Sequence, residues 1–273
     1  MPASDLALLE QAAHEAGEIA LRYWRREPRF WDKDGGAGPV TEADLAVNEH
    51  LERLLRSARP DYGWLSEEST DDPARLEAEY CFIIDPIDGT RAFIDGQTGF
   101  SNALALARGD QVVAGVVHLP AMGITYTALA EGPALRNGQP IAPSAHSFEG
   151  AHVLTGKPSL DPVHWRGVTP PLKRGFRPSL AWRLCLVAEG QFDAALSTRP
   201  AWEWDVAAGS LVAARAGCTV SELSGTPMHF NAARPLTDGL VVAAPALHDQ
   251  LLAAMTPRKG RSGSQLDAPP HGS

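Results

Sequence analysis

Apolar residues recur every three or four positions through most of the first sixty residues, which is the spacing of one helix face. The first predicted helix begins after Ser4 and ends at the basic pair 25–26. A second helix is predicted from Thr41 to the residue before Pro60. The segment 34–39 between them (Asp-Gly-Gly-Ala-Gly-Pro) cannot form regular structure, so we predict a mobile loop there.

Short apolar runs replace the helical spacing from residue 80 onward. Residues 80–84 (Tyr-Cys-Phe-Ile-Ile) are uninterruptedly apolar and end at Asp85, as in a buried strand. Further strands are predicted at 62–65, 102–107, 112–118, 125–130, 153–155, 192–196, around 220 and at 239–244, and further helices at 180–189, 206–216 and 248–255. This order predicts an α/β (α+β) protein with layers of helix and sheet around two adjoining cores.

The chain length of 273 residues suits one two-part domain or two small domains. We predict an N-terminal α+β half at 1–148 and a C-terminal α/β half at 149–256. Residues 257–273 are polar and rich in Pro and Gly, so we expect a disordered tail.

Charge and cysteine content narrow the function classes. Lys and Arg number 24 against 33 Asp and Glu, a net charge of −9, which argues against a nucleic-acid polymer as partner. Cys81, Cys185 and Cys218 are widely spaced and odd in number, as expected of core residues in a reducing compartment. The N-terminus lacks a signal-peptide pattern and no apolar run reaches ~18 residues. We therefore expect a soluble cytoplasmic protein.

Two aspartates follow the apolar run in the segment 85–90 (Asp-Pro-Ile-Asp-Gly-Thr). Asp85 and Asp88 stand three residues apart around a turn and can converge on one side, where the carbonyl of Ile87 is also free to coordinate. Hard oxygen ligands of this kind suit Mg²⁺ chemistry on phosphate esters. The alternative is structural, with Asp88 capping a helix and Asp85 a polar residue at a strand end.

The end of that segment predicts a phosphate cradle. Gly89 permits an unusual backbone dihedral and close ligand approach, and Thr90 opens a helix. The unpaired N–H groups of such a turn face an anion favourably.

Three further acidic segments each have a structural alternative. In the segment 66–69 (Ser-Glu-Glu-Ser), Glu67 or Glu68 could contact a metal and a water, or the segment could be an exposed acidic turn. Asp205, in the sequence Trp-Asp-Val-Ala-Ala-Gly, could be a plain helix N-cap. The segment 41–44 (Thr-Glu-Ala-Asp) is a capping box in its own right.

Taken together, these segments resemble the inositol monophosphatase superfamily of Mg²⁺-dependent, lithium-sensitive phosphatases. Segments 85–90 and 204–209 match its signature pair, and 41–44 and 67–69 match its upstream motifs in order and spacing. The resemblance extends from the first helix to about residue 255. It implies the layered α/β/α/β/α sandwich of the inositol monophosphatase and fructose bisphosphatase type, with the site between the two halves.

The resemblance also implies a set of Mg²⁺ ligands. The N-terminal half would hold most of the metal site, and the C-terminal half would contribute Asp205. One ion would be bound by Glu67, Asp85 and the carbonyl of Ile87. A second would be bound by Asp85, Asp88 and Asp205. A weaker third ion would lie near Glu67.

Catalytic and phosphate-binding roles follow from the same resemblance. Thr90, hydrogen-bonded to Asp44, would help to deprotonate the attacking water together with Glu67, without a phospho-enzyme. Lys33 matches a position that lends positive charge to the site, although a solvated surface lysine is an equal alternative. The substrate phosphate would lie against a group of four residues: Asp88, Gly89, Thr90 and Asp205.

The substrate is less firmly indicated. Inositol monophosphatases usually carry a sugar-binding glutamate seven residues before the Trp-Asp aspartate, and Thr198 stands there in this chain. They also carry a histidine after the Asp-Gly-Thr turn, which this chain lacks. Segments 90–94 and 185–191 are instead similar to the 3'(2'),5'-bisphosphate nucleotidase branch, although that branch's Ser-Arg-Ser-His segment is replaced at 155–158.

We therefore expect hydrolysis of the 3'-phosphate of adenosine 3',5'-bisphosphate. Its second phosphate needs a basic anchor, for which Lys157, Arg183 and Arg199 are candidates, although each could be a surface charge. The alternatives are an inositol 1-phosphatase, another small sugar or alcohol phosphatase, and a catalytically silent ligand-binding member. The expected partner is a small phosphorylated substrate, and the resemblance leaves both a monomer and a homodimer open.

Overall fold

Helices and strands follow one another through residues 2–33 and 38–257, which are the residues that the computed structural model describes. The helices are α1 (Pro2–Tyr23), α2 (Glu42–Ala58), α3 (Thr90–Ile94), α4 (Leu180–Ala188), α5 (Glu203–Ala216) and α6 (Pro245–Ala254). The strands are β1 (Phe30–Asp32), β2 (Pro39–Thr41), β3 (Gly63–Ser66), β4 (Tyr80–Asp88), β5 (Ser101–Arg108), β6 (Gln111–Leu119), β7 (Ile124–Leu129), β8 (Leu135–Arg136), β9 (Gln139–Pro140), β10 (His152–Thr155), β11 (Lys173–Gly175), β12 (Ala194–Ser197), β13 (Ala201–Trp202), β14 (Thr219–Ser221), β15 (Leu236–Thr237) and β16 (Leu240–Ala243).

The strands form two large sheets and two short pairs. The first sheet has seven strands in the order β3-β4-β5-β6-β7-β8-β9, and its β3–β4 pair is parallel whereas the others are antiparallel. The second has five strands in the order β11-β10-β12-β16-β14, with β10 parallel to β11 and β12. Strands β1–β2 and β13–β15 form the short antiparallel pairs.

Alternating side chains of β4 face two different hydrophobic cores. Phe82 and Ile84 pack with the apolar faces of α1 and α2. Cys81 and Ile83 point the other way, into a core shared with α4, α5 and the five-stranded sheet. Because successive side chains of a strand point to opposite faces, a strand that is apolar throughout must be covered on both sides.

The five-stranded sheet shows the same alternation in β16. Leu240 and Val242 face the central core, whereas Val241 and Ala243 pack against Leu247 of α6. The layers are thus α1 with α2, the seven-stranded sheet, α4 with α5, the five-stranded sheet, and α6. The predicted layered sandwich is confirmed.

Small residues allow α5 to lie close to its neighbours. A Cβ added at Gly209 would stand 2.9 Å from the carbonyl oxygen of Ala181 in α4, and one added at Gly115 of β6 would stand 3.1 Å from that of Ala208. These close approaches allow α5 to pack tightly against both the first sheet and α4. The predicted small-residue helix therefore has a packing cause.

Strand β4 is longer than the strand predicted from the apolar run 80–84. It continues through Pro86 to Asp88, with an irregularity in its pairing with β5 between Asp85 and Asp88. The side-chain amide of Asn102 donates to the carbonyl of Pro86 within this irregular stretch. The pairing of Asp88 with Ser101 of β5 is a tertiary contact, which the periodicity of the sequence does not encode.

Two predictions fall largely outside the described residues: the loop at 34–39, of which residues 34–37 are not described, and the tail at 257–273, of which 258–273 are not described. Within the described part of the chain, none of the helices combines the length and apolar character needed to cross a membrane.

A buried histidine makes the stability of the fold depend on pH. His118 in β6 is buried, with its Nδ1 2.9 Å from the hydroxyl of Thr125 and its ring edge-on to that of His14 at 4.7 Å. Burial, with the neighbouring His14, lowers the pKa of His118 from 6.5 to about 4. A histidine with a lowered pKa stays neutral in the folded state, so stability is lost as the pH falls from about 6.5 towards 4.

We predict that His118→Gln flattens this dependence. Between pH 7 and 4.5 the wild-type free energy of unfolding should fall by about 2 kcal/mol more than that of the variant, because the variant has no imidazole to protonate. Urea denaturation at each pH measures the difference. The exposed His146→Gln variant serves as control and should follow the wild type; equal pH profiles of wild type and His118→Gln would contradict the prediction.

Candidate active site

Acidic side chains from three separate segments meet at one end of the seven-stranded sheet. Glu67 directly follows β3, Asp85 lies near the end of β4, and Asp205 lies in the first turn of α5. Because β3 and β4 run parallel, their ends lie side by side, and the N–H of Glu67 donates to the carbonyl of Ile84 at 3.2 Å. One carboxylate oxygen from each of the three residues lies within 4.8 Å of the others.

The helix start presents Asp205 to this cluster. Helix α5 begins at Glu203 after the cap residue Trp202, so Asp205 is its third residue rather than its N-cap. The main-chain N–H of Trp202 donates to Asp205 Oδ2 at 3.3 Å. Asp205 is thus both part of the helix cap and a member of the cluster, and the structural and functional interpretations of this residue coexist.

The electrostatics of the cluster favour a cation. Asp85 is 1% exposed, and its Oδ1 has no hydrogen-bond partner among the described residues. Burial raises the pKa of Asp85 well above its usual value, and the charges of Glu67, Asp88 and Asp205 raise it further. Burial and the same kind of charge repulsion raise the pKa of Asp205. Crowded, unsatisfied carboxylate oxygens fit a divalent cation with hard ligands.

Asp88 is held by the start of α4. Its Oδ2 accepts hydrogen bonds from the hydroxyl of Ser179 at 2.6 Å and from the N–H of Ala181 at 2.7 Å. Burial nevertheless raises the pKa of Asp88. Asp88 therefore links the end of β4 to the start of α4, while its charge acts on Asp85 and Asp205. Sequence reasoning did not find Ser179, because only the fold brings it to Asp88.

The turn from β4 to α3 places Thr90 beside Asp44. Gly89 has a φ of +96° and caps α3, a conformation that favours glycine. The hydroxyl of Thr90 lies 3.1 Å from the carbonyl oxygen of Ile87 and 3.3 Å from Asp44 Oδ1, and it can donate to one of these at a time. The predicted pair of Thr90 and Asp44 is therefore within hydrogen-bond reach.

Asp44 also caps its own helix. Its Oδ2 accepts from both the N–H and the hydroxyl of Thr41, which confirms the predicted capping box. Burial raises the pKa of Asp44 to about 6, against the opposing effect of the Thr41 hydrogen bonds. The cap thus fixes one carboxylate oxygen and leaves the other to face Thr90.

Lys33 lies in the site and not at the solvated surface. Its Nζ is 2.8 Å from Glu67 Oε1 and 2.6 Å from Glu68 Oε1, and its side chain is 18% exposed. Burial lowers the pKa of Lys33, but the two glutamates outweigh this and raise it overall. Burial raises the pKa of Glu68 to about 7. Of the two glutamates, Glu67 is the one that joins the carboxylate cluster.

A cavity of about 1180 Å³ extends from this cluster, and Glu67, Gly89 and Thr90 are among the residues lining it. Of the predicted substrate anchors, Arg183 and Arg199 also line the cavity. Lys157 is exposed and is not among these lining residues, so the structure places it apart from the other anchors.

Sequence reasoning did not find the remaining lining residues, among them Arg91, Phe176, Arg177 and Trp202. Two signals could have indicated them. Two tryptophans separated by one residue stand at a helix start, where polar caps are usual, and an arginine stands directly before the Pro-Ser that begins α4.

Arg183 is fixed by main-chain groups. Its Nε donates to the carbonyl of Arg177 and its Nη2 to that of Pro178, and its guanidinium lies 4.4 Å from the centre of the Phe176 ring. Burial lowers the pKa of Arg183, although the charges of Asp88 and Asp205 act in the opposite direction. A fixed cation therefore stands next to the acidic cluster.

Comparison with known proteins shows the family to which the chain belongs. A profile described as the inositol monophosphatase family matches residues 2–259. The chain belongs to this family, whose members are metal-dependent phosphatases. The predicted resemblance is confirmed.

Relatives at about 30% identity carry different substrate names. The chain is 31% identical to the histidinol-phosphatase of Chlorobaculum parvum, over 92% of this chain and 96% of that one. It is 33% identical to the 3'-phosphoadenosine 5'-phosphate phosphatase of Mycobacterium leprae, over 88% and 89%. It is 30% identical to the 3'(2'),5'-bisphosphate nucleotidase CysQ of Escherichia coli K12, over 81% and 91%. Family membership thus defines a phosphatase and leaves its substrate open.

Solved structures confirm the fold. The extragenic suppressor protein suhB of Bartonella henselae superposes with a TM-score of 0.80 at 26% identity, covering 92% of this chain and 97% of that chain. The Thermotoga maritima IMPase superposes with a TM-score of 0.78 at 25% identity, covering 93% and 96%.

We predict that Asp85→Asn stabilises the metal-free protein and removes its response to Mg²⁺. The substitution deletes one of several crowded charges, so the metal-free variant should melt at least about 3 °C above the metal-free wild type at pH 8. Added Mg²⁺ should raise the Tm of the wild type and leave that of the variant unchanged. Thermal denaturation with and without chelator measures both effects.

The matched control is Asp110→Asn, which removes an exposed aspartate that lies between β5 and β6, pairs with His229 and is not part of the cluster. It should respond to Mg²⁺ like the wild type. An Asp85→Asn variant that is less stable without metal, or that keeps the full Mg²⁺ response, would rule out the cluster as the cation site.

Proposed function

We propose that the protein is a Mg²⁺-dependent phosphomonoesterase that removes the 3'-phosphate of adenosine 3',5'-bisphosphate with water. The observation that supports this most directly is that one cavity is lined by two chemically different groups of residues. Glu67 and Thr90 line it next to the carboxylate cluster, and Arg183 and Arg199 line it as cations. The carboxylate cluster suits a phosphate that is held by Mg²⁺ and cleaved, and the arginines suit a second phosphate that is kept.

The carboxylates of Glu67, Asp85 and Asp205 lie close enough together to hold a divalent cation. We propose that the carbonyl of Ile87 and Asp88 complete the ligand set. We propose that this set holds two ions, with Asp85 shared, and a weaker third near Glu67. Bound there, Mg²⁺ supplies Lewis-acid neutralisation of the phosphate oxygens and lowers the pKa of coordinated water.

Thr90 and Asp44 form a path for the proton of the attacking water. Thr90 Oγ1 can accept that proton while its own hydrogen passes to Asp44 Oδ1, 3.3 Å away. Thr41 fixes the other oxygen of Asp44, and burial raises the pKa of Asp44 to about 6, so its carboxylate is a stronger base than a surface aspartate. Glu67 lies where it can orient the same water.

The reaction forms a bond between the water oxygen and phosphorus and breaks the bond from phosphorus to the ribose 3'-oxygen. The departing oxygen takes up a proton, and the products are adenosine 5'-monophosphate and inorganic phosphate. The substrate phosphate would lie against four residues: Asp88, Gly89, Thr90 and Asp205. No side chain needs to become phosphorylated.

The arginines favour a substrate with a second negative charge. Arg183 is held rigidly by main-chain carbonyls, and Arg91, Arg177 and Arg199 add three guanidinium groups along the same cavity. These four arginines outnumber the two acidic residues of the same lining, Glu67 and Asp95. The lining therefore favours a second phosphate over the ammonium group of histidinol phosphate.

The position of Thr198 argues against inositol. Inositol monophosphatases use a glutamate at this position for sugar hydroxyls, as the resemblance implies. In this chain the Thr198 side chain is buried, and its hydroxyl donates to the hydroxyl oxygen of Ser159 at 3.0 Å. It offers no carboxylate to a sugar.

We predict that adenosine 3',5'-bisphosphate is hydrolysed with a kcat/KM at least ten times that of inositol 1-phosphate, fructose 1,6-bisphosphate or histidinol phosphate. Phosphate release in the presence of Mg²⁺ measures this. Arg199→Ala should reduce this preference by raising KM about tenfold for the bisphosphate, because it removes an anchor for the second phosphate. Arg56→Ala, at an exposed position of α2, is the control.

Preferential cleavage of inositol 1-phosphate, or of another sugar or alcohol phosphate, would replace the proposed substrate with the alternative. Binding of Mg²⁺ and nucleotide without release of phosphate from any ester would indicate a catalytically silent member.

We predict that Thr90→Ala lowers kcat by about 10²-fold or more and changes the Kd for Mg²⁺ by less than about threefold, because the hydroxyl moves a proton and is not a required ligand. Single-turnover kinetics and calorimetric Mg²⁺ titration measure the two effects. Thr98→Ala, at another threonine that lines the cavity, should retain turnover. Equal losses of Mg²⁺ binding and turnover in Thr90→Ala would contradict the proton role.

A further inference from the structure

Trp202 presents an aromatic ring at the cavity. Its ring is stacked on that of Trp204, with 4.9 Å between centroids and 10° between planes. Trp204 packs against the central core, whereas Trp202 is 41% exposed and lines the cavity. One face of the Trp202 ring is therefore covered by a partly buried indole, and the other is left available to a ligand.

The main chain around Trp202 is held on both sides. Trp202 pairs with Leu236 in the β13–β15 ladder, and the N–H of Glu203 donates to the carbonyl of Pro235 at 3.0 Å. The buried carboxylate of Glu203 accepts from the N–H groups of Asn231 and Ala232. Because the main chain that carries the Trp202 ring is already held by these hydrogen bonds, little conformational freedom is lost when a ligand stacks on the ring.

The main chain of Trp202 is linked to the carboxylate cluster. The N–H of Trp202 donates to Asp205 Oδ2 at 3.3 Å, so the ring and one expected Mg²⁺ ligand start from the same helix turn. Arg199, three residues earlier, lines the same cavity. A small molecule with its phosphate at the cluster can therefore place another group on Trp202.

We infer that Trp202 is a stacking platform for an aromatic heterocycle carried on the phosphate ester that is cleaved. The inference rests on the proposed function and specifies its substrate class. A planar ring gains contact with a flat indole face, and base–aromatic stacking is tolerant of ring identity because each ring has a π face. An inositol or glycerol group offers no such face, so Trp202 discriminates aromatic from aliphatic phosphate esters.

The experiment compares two secondary-alcohol phosphates, adenosine 2'-monophosphate and glycerol 2-phosphate. In Trp202→Ala the ratio of their kcat/KM values should fall at least tenfold towards the aliphatic ester. Trp202→Phe should restore the ratio to within about threefold of the wild type. Trp31→Ala, which removes a tryptophan of similar exposure (47%) outside the cavity lining, should keep the wild-type ratio.

Histidinol phosphate is tested as a third substrate, because it distinguishes stacking of an imidazole from stacking of a purine. If Trp202→Ala lowers kcat/KM for the adenine ester but not for histidinol phosphate, Trp202 stacks on a nucleobase. If it lowers kcat/KM for histidinol phosphate alone, Trp202 stacks on an imidazole. Equal falls in kcat/KM for the aromatic and aliphatic esters would overturn the inference, because they would show Trp202 acting only through the position of Asp205.

A binding measurement separates this inference from the proposed function. The Kd values of adenosine 5'-monophosphate and ribose 5-phosphate are measured calorimetrically with Mg²⁺ for the wild type and Trp202→Ala. A wild-type preference for the adenosine compound that disappears in the variant supports the platform even if no ester is hydrolysed, in which case the proposed function alone fails. An unchanged Kd ratio overturns the platform even if phosphatase activity is present.

Discussion

The site depends on the repulsion of carboxylates that the fold holds close together in a largely buried place. Glu67, Asp85 and Asp205 come within 4.8 Å of one another, and Asp85 is almost completely buried with one oxygen unpaired. Such a cluster destabilises the folded chain unless a cation compensates it. Lys33 does so in part by contacting Glu67, and divalent cations fit the remaining oxygens.

The sandwich imposes this proximity through packing. Gly209 and Gly115 allow α5 to lie against α4 and the seven-stranded sheet, and this position brings Asp205 to the ends of β3 and β4. Asp88 adds a direct link by accepting hydrogen bonds from the start of α4. Apolar packing thus provides the free energy that holds like charges together, and hydrolytic chemistry becomes available where the layers meet.

The cavity is lined by two groups of residues with different chemistry. Glu67 and Thr90 adjoin the carboxylate cluster, whereas Arg183, Arg199 and Trp202 are suited to recognising the rest of an ester. Relatives carry the names histidinol-phosphatase, bisphosphate nucleotidase and inositol-1-monophosphatase. Such a range of names is expected if residues outside the carboxylate cluster select the ester.

The sequence by itself determined the helices, most strands, the layered class and the acidic segments, because these depend on local periodicity, capping and short motifs. It indicated the capping box of Asp44, and the resemblance to the family implied the pairing of Thr90 with Asp44. Only the tertiary structure decided that Asp205 is the third residue of its helix, that Lys33 contacts Glu67, and that Lys157 lies apart from the cavity lining. The position of Trp202 likewise depends on contacts between segments distant in the chain, which local pattern does not encode.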